Sequence, residues 1–281
     1  MYILVGTAVS KSPSPAMMNV AFKALGLPAT YRAESIEAGS LADFVLRCKR
    51  TRIAGMSVTM PFKTEIIPLL DSLDDRAREV GAVNTVRRDS ESYSGFNTDI
   101  DGILKPLRAL AKHRKLTRGA VIGAGGAARA FVGAMHHLGC RAVAVLARNP
   151  PRARRILGEL RESFPEMTVS VFGIERGELD KLGEIDILFN AAPIGGNGAR
   201  IPKKLLALLK SRPVVFDAVY DPVETELARE ARRWHCPTVP GHEMLLSQGL
   251  AAFEIWTGMK GPEEIMRKAL LDALRGGGRR L

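Results

Sequence analysis

Apolar runs alternate with amphipathic stretches along almost the whole chain. In the N-terminal part, the apolar run YILVG at 2–6 predicts a buried strand, and Ser14-Pro15 predicts the N-cap and first turn of a helix that ends at Gly26. The same alternation continues with a strand near 30–33, a helix near 41–50, a strand near 53–58 and a helix that opens at Pro61. Strands that alternate with helices indicate βαβ units and therefore a mainly parallel sheet.

A second series of strands and helices begins near residue 120. The segment GAVIGAGGAARA predicts a strand, a glycine turn and a helix, and RAVAVLARN, EIDILFNAAP and PVVFDAVY predict three more strands. Consecutive units of this kind predict a doubly wound sheet of the Rossmann type. From His242 to about Leu274 the pattern is helical again. We therefore expect an α/β protein of two domains, one formed by 1–102 and 240–281, the other by 103–239.

The composition is that of an ordinary globular protein. Hydrophobic residues make up 46% of the 281 residues and charged residues 25%. No apolar run approaches the ~18 residues of a membrane-spanning helix, and the start MYILVGTAVSKS lacks the basic region of a signal peptide. Cys48, Cys140 and Cys236 are widely spaced and form no zinc-type cluster, so we expect reduced thiols, a cytoplasmic protein and no metal.

The charge of the chain bears on the class of ligand. The net charge of +11 at pH 7 attracts anions and also favours nonspecific contact with polyanions, although it could equally be a solvated surface. Aromatic residues make up only 6% of the chain and are not interleaved with basic runs, so no stacking surface for nucleic acid is predicted. We expect a small-molecule substrate, no specific nucleic acid and no membrane.

A glycine-rich segment lies between a predicted strand and a predicted helix. Its residues Gly123, Ala124, Gly125, Gly126 and Ala127, followed by another alanine, match the motif G-x-G-x-x-G/A in the context where it binds a dinucleotide. Glycines let the backbone approach a pyrophosphate, and the helix N-terminus offers unpaired N–H groups. The alternative is a tight strand–helix turn with no ligand.

The end of the next strand bears on which dinucleotide is bound. An NAD site usually has an acidic residue there, whereas this chain has Ala147-Arg148-Asn149, with Arg152 one turn later. A guanidinium pairs with a phosphate group that a carboxylate would repel, so the pattern favours NADP over NAD. The alternative is that these arginines are surface charge.

Polar side chains cluster near predicted strand ends in the first domain. They are Ser12 and Ser14, then Thr59 and Lys63, then Asn84, and finally Asn97, Thr98 and Asp99. The carboxyl ends of parallel strands border the ligand crevice of an open sheet, so we expect these groups to converge there. A single Asn or Thr at such a position is more often a turn residue, and Ser14 could be a plain N-cap. Together they predict a site for a small polyol that carries an acid.

In order along the chain, these stretches resemble the shikimate dehydrogenase family. The shared motifs are the SxSP-type start, VTxPxK, GAVNT, NTDxxG, GAGGAARA, an arginine-bearing strand end, NAAPxG, DxVYxPxxT and GxxMLxxQ. The resemblance covers nearly the whole chain. It implies an N-terminal α/β substrate domain with a mainly parallel sheet and a Rossmann-type NADP-binding domain.

The resemblance also implies roles for individual residues. Lys63 would transfer the proton, with Asp99 as its partner. The other implied substrate contacts are Ser12 and Ser14, which hold the carboxylate, and Thr59, Asn84, Tyr220 and Gln248. The implied cofactor contacts are Gly123, Ala124, Gly125, Gly126, Ala127, Arg148, Asn149 and Arg152, the backbones of Ala218 and Gly241 near the nicotinamide, and Asp75.

The chain departs from the family pattern at several positions. Lys11 and Met18 stand where the family usually has histidine, Ala147 and Asn149 replace the Asn and Thr that flank its cofactor arginine, and Ala192 replaces a Thr. Because Ala147 lacks an amide that could contact adenosine, phosphate selectivity would depend more heavily on the two nearby arginines. None of these departures affects the Lys63/Asp99 pair.

The implied function is that of an NADP-dependent oxidoreductase acting on a CH–OH group. It would reversibly reduce 3-dehydroshikimate to shikimate with NADPH, in chorismate and aromatic amino acid biosynthesis, with Lys63 and Asp99 managing the proton. One alternative is a quinate/shikimate dehydrogenase that uses NAD. Another is a non-catalytic NADP-sensing regulator. The expected assembly is a monomer or a homodimer.

Overall fold

The computed structural model describes residues 1–112, 114–175, 178–196 and 199–277. The chain divides into two compact units, one formed by Met1–Gly102 with Leu245–Leu281 and the other by Ile103–Met244. Each unit contains its own six-stranded sheet.

Within the described ranges the chain forms twelve strands and ten α-helices. The strands are β1 (Tyr2–Gly6), β2 (Tyr31–Ser35), β3 (Gly55–Val58), β4 (Ser72–Leu73), β5 (Thr85–Asp89), β6 (Ser92–Phe96), β7 (Arg118–Ile122), β8 (Ala142–Ala147), β9 (Thr168–Gly173), β10 (Ile187–Asn190), β11 (Val214–Asp217) and β12 (Thr238–Val239). The helices are α1 (Ser14–Ala24), α2 (Leu41–Arg50), α3 (Asp75–Val80), α4 (Asp99–Ala111), α5 (Gly126–His137), α6 (Pro150–Ser163), α7 (Lys203–Leu206), α8 (Glu226–Arg233), α9 (Gly241–Thr257) and α10 (Glu263–Gly277).

The first sheet has the strand order β2-β1-β3-β5-β6-β4. Strands β1, β2 and β3 are mutually parallel, β5 is antiparallel to both of its neighbours, and β4 is parallel to β6. The carboxyl ends of β1, β3 and β6 therefore lie at the same edge as the start of β5. The connections that leave this edge carry most of the polar side chains that the sequence analysis singled out.

The position of β1 inside the sheet explains why its sequence is apolar without interruption, because both of its faces are covered. Ile3 and Val5 pack on one face of the sheet in a cluster with α2, whereas Tyr2 and Leu4 pack on the other face with α1, α9 and α10. A parallel strand covered on both faces needs apolar residues at every position. Each large apolar side chain buried in this way contributes roughly 1.5–3 kcal/mol.

The second sheet is entirely parallel and has the order β9-β8-β7-β10-β11-β12. When the strands β7 to β12 are numbered 1 to 6 along the chain, this order is 3-2-1-4-5-6, the doubly wound arrangement of dinucleotide-binding domains. The order reverses between β7 and β10, so the ligand crevice of such a sheet lies beyond their carboxyl ends. The predicted α/β class with a mainly parallel sheet and a doubly wound sheet is confirmed.

The prediction that a helix opens at Pro61 is wrong. Residues 60–66 form turns, and a short 3₁₀ helix follows at Ile67–Leu69. One helical turn closes where the Ile66 N–H donates to the Phe62 carbonyl at 3.0 Å. The chain cannot extend this turn into a regular helix because Pro68 has no N–H to donate to the Thr64 carbonyl.

The predicted N-cap of α1 is wrong. Ser14 does not cap the helix, because the N-cap position is Pro13 and no side chain caps the helix.

The C-terminal stretch predicted to be helical forms two helices, α9 and α10. Gly258 adopts the left-handed conformation after α9 (φ 69°), and Pro262 just before α10 cannot continue a helix from the preceding turn.

The predicted position of Asn84 relative to its strand is also wrong. The residue does not follow a strand but immediately precedes β5. Because β5 is antiparallel to β3 and β6, its beginning lies where their ends lie. Asn84 therefore reaches the expected edge from the opposite chain direction.

Candidate active site

Lys63 and Asp99 form an ion pair at the carboxyl edge of the first sheet. The Lys63 Nζ lies 2.5 Å from Asp99 Oδ2, and the two side chains are only 16% and 5% exposed. Lys63 follows β3, and its carbonyl accepts a 2.7 Å hydrogen bond from the Val83 N–H. Asp99 is the first residue of α4, where the helix N-terminus favours a carboxylate. The fold thus brings together an amine and a carboxylate that are 36 positions apart.

Asn84 holds the second oxygen of the Asp99 carboxylate. The Asn84 Nδ2 donates to Asp99 Oδ1 at 2.9 Å, so both carboxylate oxygens have a donor. Asn97 stabilises the start of α4, since its Nδ2 donates to the Ala82 carbonyl at 2.7 Å and its Oδ1 accepts from the Ile100 N–H at 3.3 Å. Asp99 is therefore held in one orientation by its partners and by the backbone that carries it.

Gln248 of α9 approaches the same group. Its Oε1 lies 3.4 Å from Asn84 Nδ2, and its Nε2 donates to the Leu245 carbonyl at 2.7 Å. The structure therefore brings together Lys63, Asn84, Asp99 and Gln248 from four separate parts of the sequence. Gln248 was singled out through the family motif GxxMLxxQ.

The serine pair forms a separate group after β1. The Ser12 hydroxyl lies 3.1 Å from the Ser14 hydroxyl and accepts from the Ser14 N–H at 3.2 Å. Ser14 is buried and Ser12 is half-buried. Within the described ranges, neither forms a hydrogen bond to Lys63 or Asp99. Two hydroxyls next to the first turn of a helix can together hold a carboxylate.

Thr59 lies directly after β3, and its methyl group packs against Gly6. A Cβ placed at Gly6 would lie 2.5 Å from Thr59 Cγ2, so this close approach requires glycine. The Thr59 N–H donates to the Val5 carbonyl at 2.9 Å. Its half-exposed hydroxyl forms no hydrogen bond within the described part of the chain, and it can therefore bind a ligand.

Tyr220, Ala218 and Gly241 belong to the second unit. Tyr220 is half-buried after β11, and the Ala218 N–H donates to the Asn190 carbonyl at 3.0 Å. A Cβ at Gly241 would lie 2.5 Å from the Val219 carbonyl oxygen, so only glycine fits at the start of α9. These residues therefore form one backbone cluster beyond the carboxyl end of β11.

The glycine turn after β7 is suited to a pyrophosphate. Gly123 has φ 101°, which favours glycine, and Gly125 is the N-cap of α5. No side chain caps this helix, its first turn has no acidic residue, and a Cβ at the exposed Gly125 would meet nothing within 4 Å. Ala124, Gly126 and Ala127 are half-buried in the same turn. The helix N-terminus is thus open to an anion, as binding of a dinucleotide requires.

The end of β8 presents cationic groups to solvent. Arg148 and Arg152 are exposed, and neither forms an ion pair within the described ranges. Asn149 caps α6, because its Oδ1 accepts from the Arg152 N–H at 3.1 Å. Its amide oxygen is therefore engaged in the cap, whereas the two guanidinium groups can pair with a phosphate.

Asp75 is the first residue of α3 in the first unit. Its side chain is 92% exposed and forms an ion pair with Arg78 at 2.7 Å. This i,i+3 ion pair on the helix surface already gives the Asp75 carboxylate a partner, so no ligand is needed to explain its presence there. A cofactor contact at Asp75 stays a prediction.

A buried carboxylate in the second unit has no role in the sequence analysis. Asp217, at the end of β11, accepts from the Thr225 hydroxyl at 2.6 Å, from Asn190 Nδ2 at 2.9 Å and from the Val219 N–H at 3.1 Å. Burial raises the pKa of its carboxyl group. Asn190 begins NAAPIG and Asp217 begins DAVYDPVET, so the signal was present in the motifs, but burial of both residues depends on the tertiary fold.

The described residues show neither a metal cluster nor a spanning helix. Among them, no group of three His, Cys, Asp or Glu side chains is placed to hold a metal ion. Within the same ranges, none of the helices combines the length and apolar character needed to cross a bilayer.

Two family profiles match this chain. The profile described as the shikimate dehydrogenase substrate binding domain matches residues 4–86. The profile described as the shikimate 5'-dehydrogenase C-terminal domain matches residues 241–271. The matched segments contain Lys63, Asn84 and Gln248.

Individual relatives match over nearly the whole length. The shikimate dehydrogenase (NADP(+)) of Methanopyrus kandleri is 37% identical over 276 residues, which cover 97% of this chain and 95% of that protein. The shikimate 5-dehydrogenase of Thermus thermophilus, solved with NADP(H) and shikimate, is 30% identical with a TM-score of 0.81, covering 97% and 98% of the two chains. The quinate dehydrogenase of Corynebacterium glutamicum, solved with NAD, is 28% identical with a TM-score of 0.86, covering 96% and 98%. With this identity sustained over almost its full length, the chain belongs to the shikimate dehydrogenase family.

Proposed function

We propose that this chain catalyses the reversible NADPH-dependent reduction of 3-dehydroshikimate to shikimate, as part of chorismate and aromatic amino acid biosynthesis. The observation that carries the proposal is the Lys63–Asp99 pair, whose Nζ and Oδ2 atoms lie 2.5 Å apart at the carboxyl edge of the first sheet. A half-buried lysine held by a buried carboxylate is a suitable group for proton transfer to an alkoxide.

The chain's own residues bind, orient and protonate the substrate. A bound nicotinamide supplies the hydride in one direction and accepts it in the other. Lys63 as an ammonium donates a proton to the oxygen of the reacting carbon, and as a neutral amine it accepts that proton in the reverse reaction. Asp99 orients the lysine through the ion pair, and Asn84 holds Asp99 in turn.

The first unit is the proposed substrate domain. Ser12 and Ser14 would hold the carboxylate through their paired hydroxyls, and Thr59 offers a hydroxyl that forms no hydrogen bond within the described ranges. Tyr220 and Gln248 are the other proposed substrate contacts, together with Asn84.

The second unit is the proposed NADP domain. The open N-terminus of α5 supports pyrophosphate binding at Gly123–Ala127, and Asn149, Ala218, Gly241 and Asp75 complete the proposed cofactor contacts. Arg148 and Arg152, unpaired within the described ranges, support a preference for the phosphorylated cofactor.

A quinate dehydrogenase that uses NAD is the closest alternative. The solved enzyme from Corynebacterium glutamicum, with NAD bound, favours it. Against it, β8 ends in Ala147-Arg148-Asn149 and has no carboxylate for the ribose hydroxyls of NAD. Steady-state kinetics with both acids and both cofactors separates the two functions.

The decisive test of function is an absorbance assay with the purified chain. Shikimate and NADP should together produce the reduced nicotinamide, and Lys63→Ala should lower kcat by about 100-fold or more, because the proton donor is lost. NADP affinity, measured by fluorescence titration, should stay near the wild-type value. Binding of NADP without any shikimate-dependent turnover would instead favour the non-catalytic regulator.

The proposed location is a reducing cytoplasm. Cys48, Cys140 and Cys236 are buried and unbridged, which supports a compartment that keeps thiols reduced. A monomer or a homodimer is the proposed assembly.

A further inference from the structure

Asn84 is fixed in place before any ligand arrives. Its carbonyl accepts from the Val58 N–H at 2.7 Å, and its own N–H donates to the Phe96 carbonyl at 3.1 Å. These two bonds tie the residue to β3 on one side and β6 on the other. Its side chain is buried, so the amide must find its partners inside the protein.

The two ends of the Asn84 amide have different partners. Its Oδ1 accepts from the Thr98 N–H at 2.7 Å. Its Nδ2 donates to Asp99 Oδ1 at 2.9 Å and to the Thr98 hydroxyl at 3.0 Å. A reversed amide would place two donors together at the Thr98 N–H and two acceptors together at the Asp99 carboxylate. One orientation is therefore strongly favoured.

Thr85 closes a ring of hydrogen bonds around this amide. The Thr85 hydroxyl lies 3.2 Å from Asn84 Oδ1 and 3.0 Å from the Thr98 hydroxyl. One arrangement of the protons closes the ring: Asn84 Nδ2 donates to the Thr98 hydroxyl, this hydroxyl donates to that of Thr85, and the Thr85 hydroxyl donates to Asn84 Oδ1. In this arrangement each hydroxyl accepts one bond and donates one, so the bonds strengthen one another. The Thr98 hydroxyl also lies 3.2 Å from Asn84 Oδ1, which is its alternative acceptor.

Among the described residues, Thr85 forms no hydrogen bond to Lys63 or Asp99. Its side chain is fully buried, and its hydroxyl bonds only to Asn84 and Thr98 among the described residues. A residue whose only function was to fill this space could be valine, which has the same shape but no hydroxyl. The hydroxyl therefore matters through the amide that it helps to orient.

We propose that Thr85 is a positioning residue for proton transfer. Its hydroxyl completes the ring that orients the Asn84 amide, and Asn84 holds Asp99 against Lys63. This inference rests on the proposed function, because it assigns Thr85 a role in the reaction of the Lys63–Asp99 pair.

The first test is a set of substitutions at Thr85. Thr85→Val should lower kcat about tenfold, with the KM for shikimate changed less than about twofold, because the loss affects the chemical step. Thr85→Ser restores the hydroxyl and should keep kcat within about threefold of wild type. If the valine variant does not fold, Thr85→Ala compared with Thr85→Ser isolates the same hydroxyl.

The matched control is Thr257→Val at the end of α9. The Thr257 hydroxyl is likewise hydrogen-bonded inside the protein, since it donates to the Phe253 backbone carbonyl at 2.8 Å, but it has no link to the ring. This variant should keep the wild-type kcat. An equal loss of kcat in Thr257→Val and Thr85→Val would mean that any removed hydroxyl has this effect, which would overturn the proposal.

A double-mutant cycle tests whether Thr85 acts through Asn84. In an Asn84→Ala background, Thr85→Val should lower kcat by less than about twofold, since the amide that it orients is absent. A purely structural role for Thr85 would give the same loss in both backgrounds, and that result would overturn the proposal.

A measurement without turnover separates this inference from the proposed function. In ¹⁵N spectra of the wild-type chain, the Asn84 side-chain NH₂ should exchange slowly with solvent, and Thr85→Val should increase its exchange about tenfold. Unchanged exchange would overturn the positioning role. A wild-type chain that lacks shikimate-dependent activity but shows the protected amide would overturn the proposed function alone.

Discussion

Arg148 and Arg152 are the residues proposed to select the phosphorylated cofactor. Both guanidinium groups extend from the end of β8 and the start of α6, and neither has an acidic partner within the described ranges. A guanidinium that is already paired would have to give up that partner to bind a phosphate. An unpaired one has no such cost, so its binding energy is available for the ligand.

At this scale we predict that Arg148→Ala changes cofactor preference. The KM for NADP should rise about 10- to 100-fold, because a charge-assisted hydrogen bond to phosphate is lost, while the KM for NAD should change little. Parallel steady-state kinetics with both cofactors measures this. Arg154→Ala, which removes an exposed arginine of the following helix α6, is the control and should leave both values unchanged. An equal rise in KM for both cofactors would contradict the assignment of Arg148 to the additional phosphate of NADP.

Residues in the first unit show which site positions are readable from sequence. Lys63, Asp99 and Ser12 lie in short polar stretches next to apolar runs, so their order and type were enough to single them out. Thr85 and Asp217 were missed, because a threonine at a strand start and an aspartate at a strand end have many ordinary explanations. Their burial and their partners come from residues distant in sequence.

At the scale of elements, the carboxyl ends of β10 and β11 are joined by a buried polar network. Asp217 bonds to Asn190 of β10, to the Val219 N–H and to Thr225, which caps α8. The network therefore fixes the segment that carries Ala218 and Tyr220. Burial works against the charged form and raises the pKa of Asp217, although its three hydrogen bonds act in the opposite direction.

This pKa shift predicts how stability depends on pH. Because the folded-state pKa of Asp217 lies above its unfolded value, the folded protein holds this proton more tightly. The stabilisation of the folded state by this proton is fully present below the unfolded pKa of about 3.9. It is lost as the pH rises through the folded-state pKa of Asp217. Asp217→Asn removes the titration.

We therefore expect the unfolding free energy of wild type minus that of Asp217→Asn to fall as the pH rises from about 3.5 to about 7. Urea unfolding at a series of pH values measures the difference. A constant or increasing difference over that range would contradict a raised pKa for Asp217 in the folded state.

Element boundaries were predictable where local patterns decide them. Strand β1 and helix α2 lie where periodicity and flanking turn residues placed them. The turn after Pro61 and the antiparallel β5 were not predicted. Pro61 is compatible with a helix start or with a turn, and Pro68, which has no N–H to donate, prevents a regular helix from continuing. The antiparallel pairing of β5 with β3 depends on a contact between separate segments of the chain.

At the scale of the whole molecule, the charge is more informative about ligands than about fold. The chain carries a net charge of +11. Shikimate is a carboxylate, and NADP carries several phosphate charges. A positive field therefore accelerates their encounter with the protein, and added salt screens it over about 10 Å at 0.1 M.

We predict that kcat/KM for shikimate and for NADP falls several-fold between about 0.02 M and about 0.3 M NaCl. The kcat itself should change little, because the Lys63–Asp99 pair is largely buried and poorly screened. Initial rates at limiting and saturating substrate measure the two quantities. A kcat/KM that is independent of salt would show that the net charge does not act on these ligands.

At the same scale, the first unit is built from two separate parts of the chain. Residues 245–277 return to the first unit, where α9 and α10 cover one face of its sheet. The Trp256 indole donates to the Val86 carbonyl at 2.9 Å and packs against Tyr2, so the C-terminal segment contributes to the first core. Gln248 reaches Asn84 because of this return.

The sequence by itself determined the α/β class, the alternation of strands and helices, the glycine turn after β7 and the types of residue at each strand end. These features depend on short-range periodicity and on the conformational preferences of single residues, which neighbours in sequence suffice to express. The tertiary structure alone decided that Asn84 reaches the site from the start of an antiparallel strand, that Lys63 meets Asp99, and that Thr85 and Asp217 become buried members of polar networks. Each of these depends on strand pairing and burial between distant segments, and no local pattern encodes such contacts.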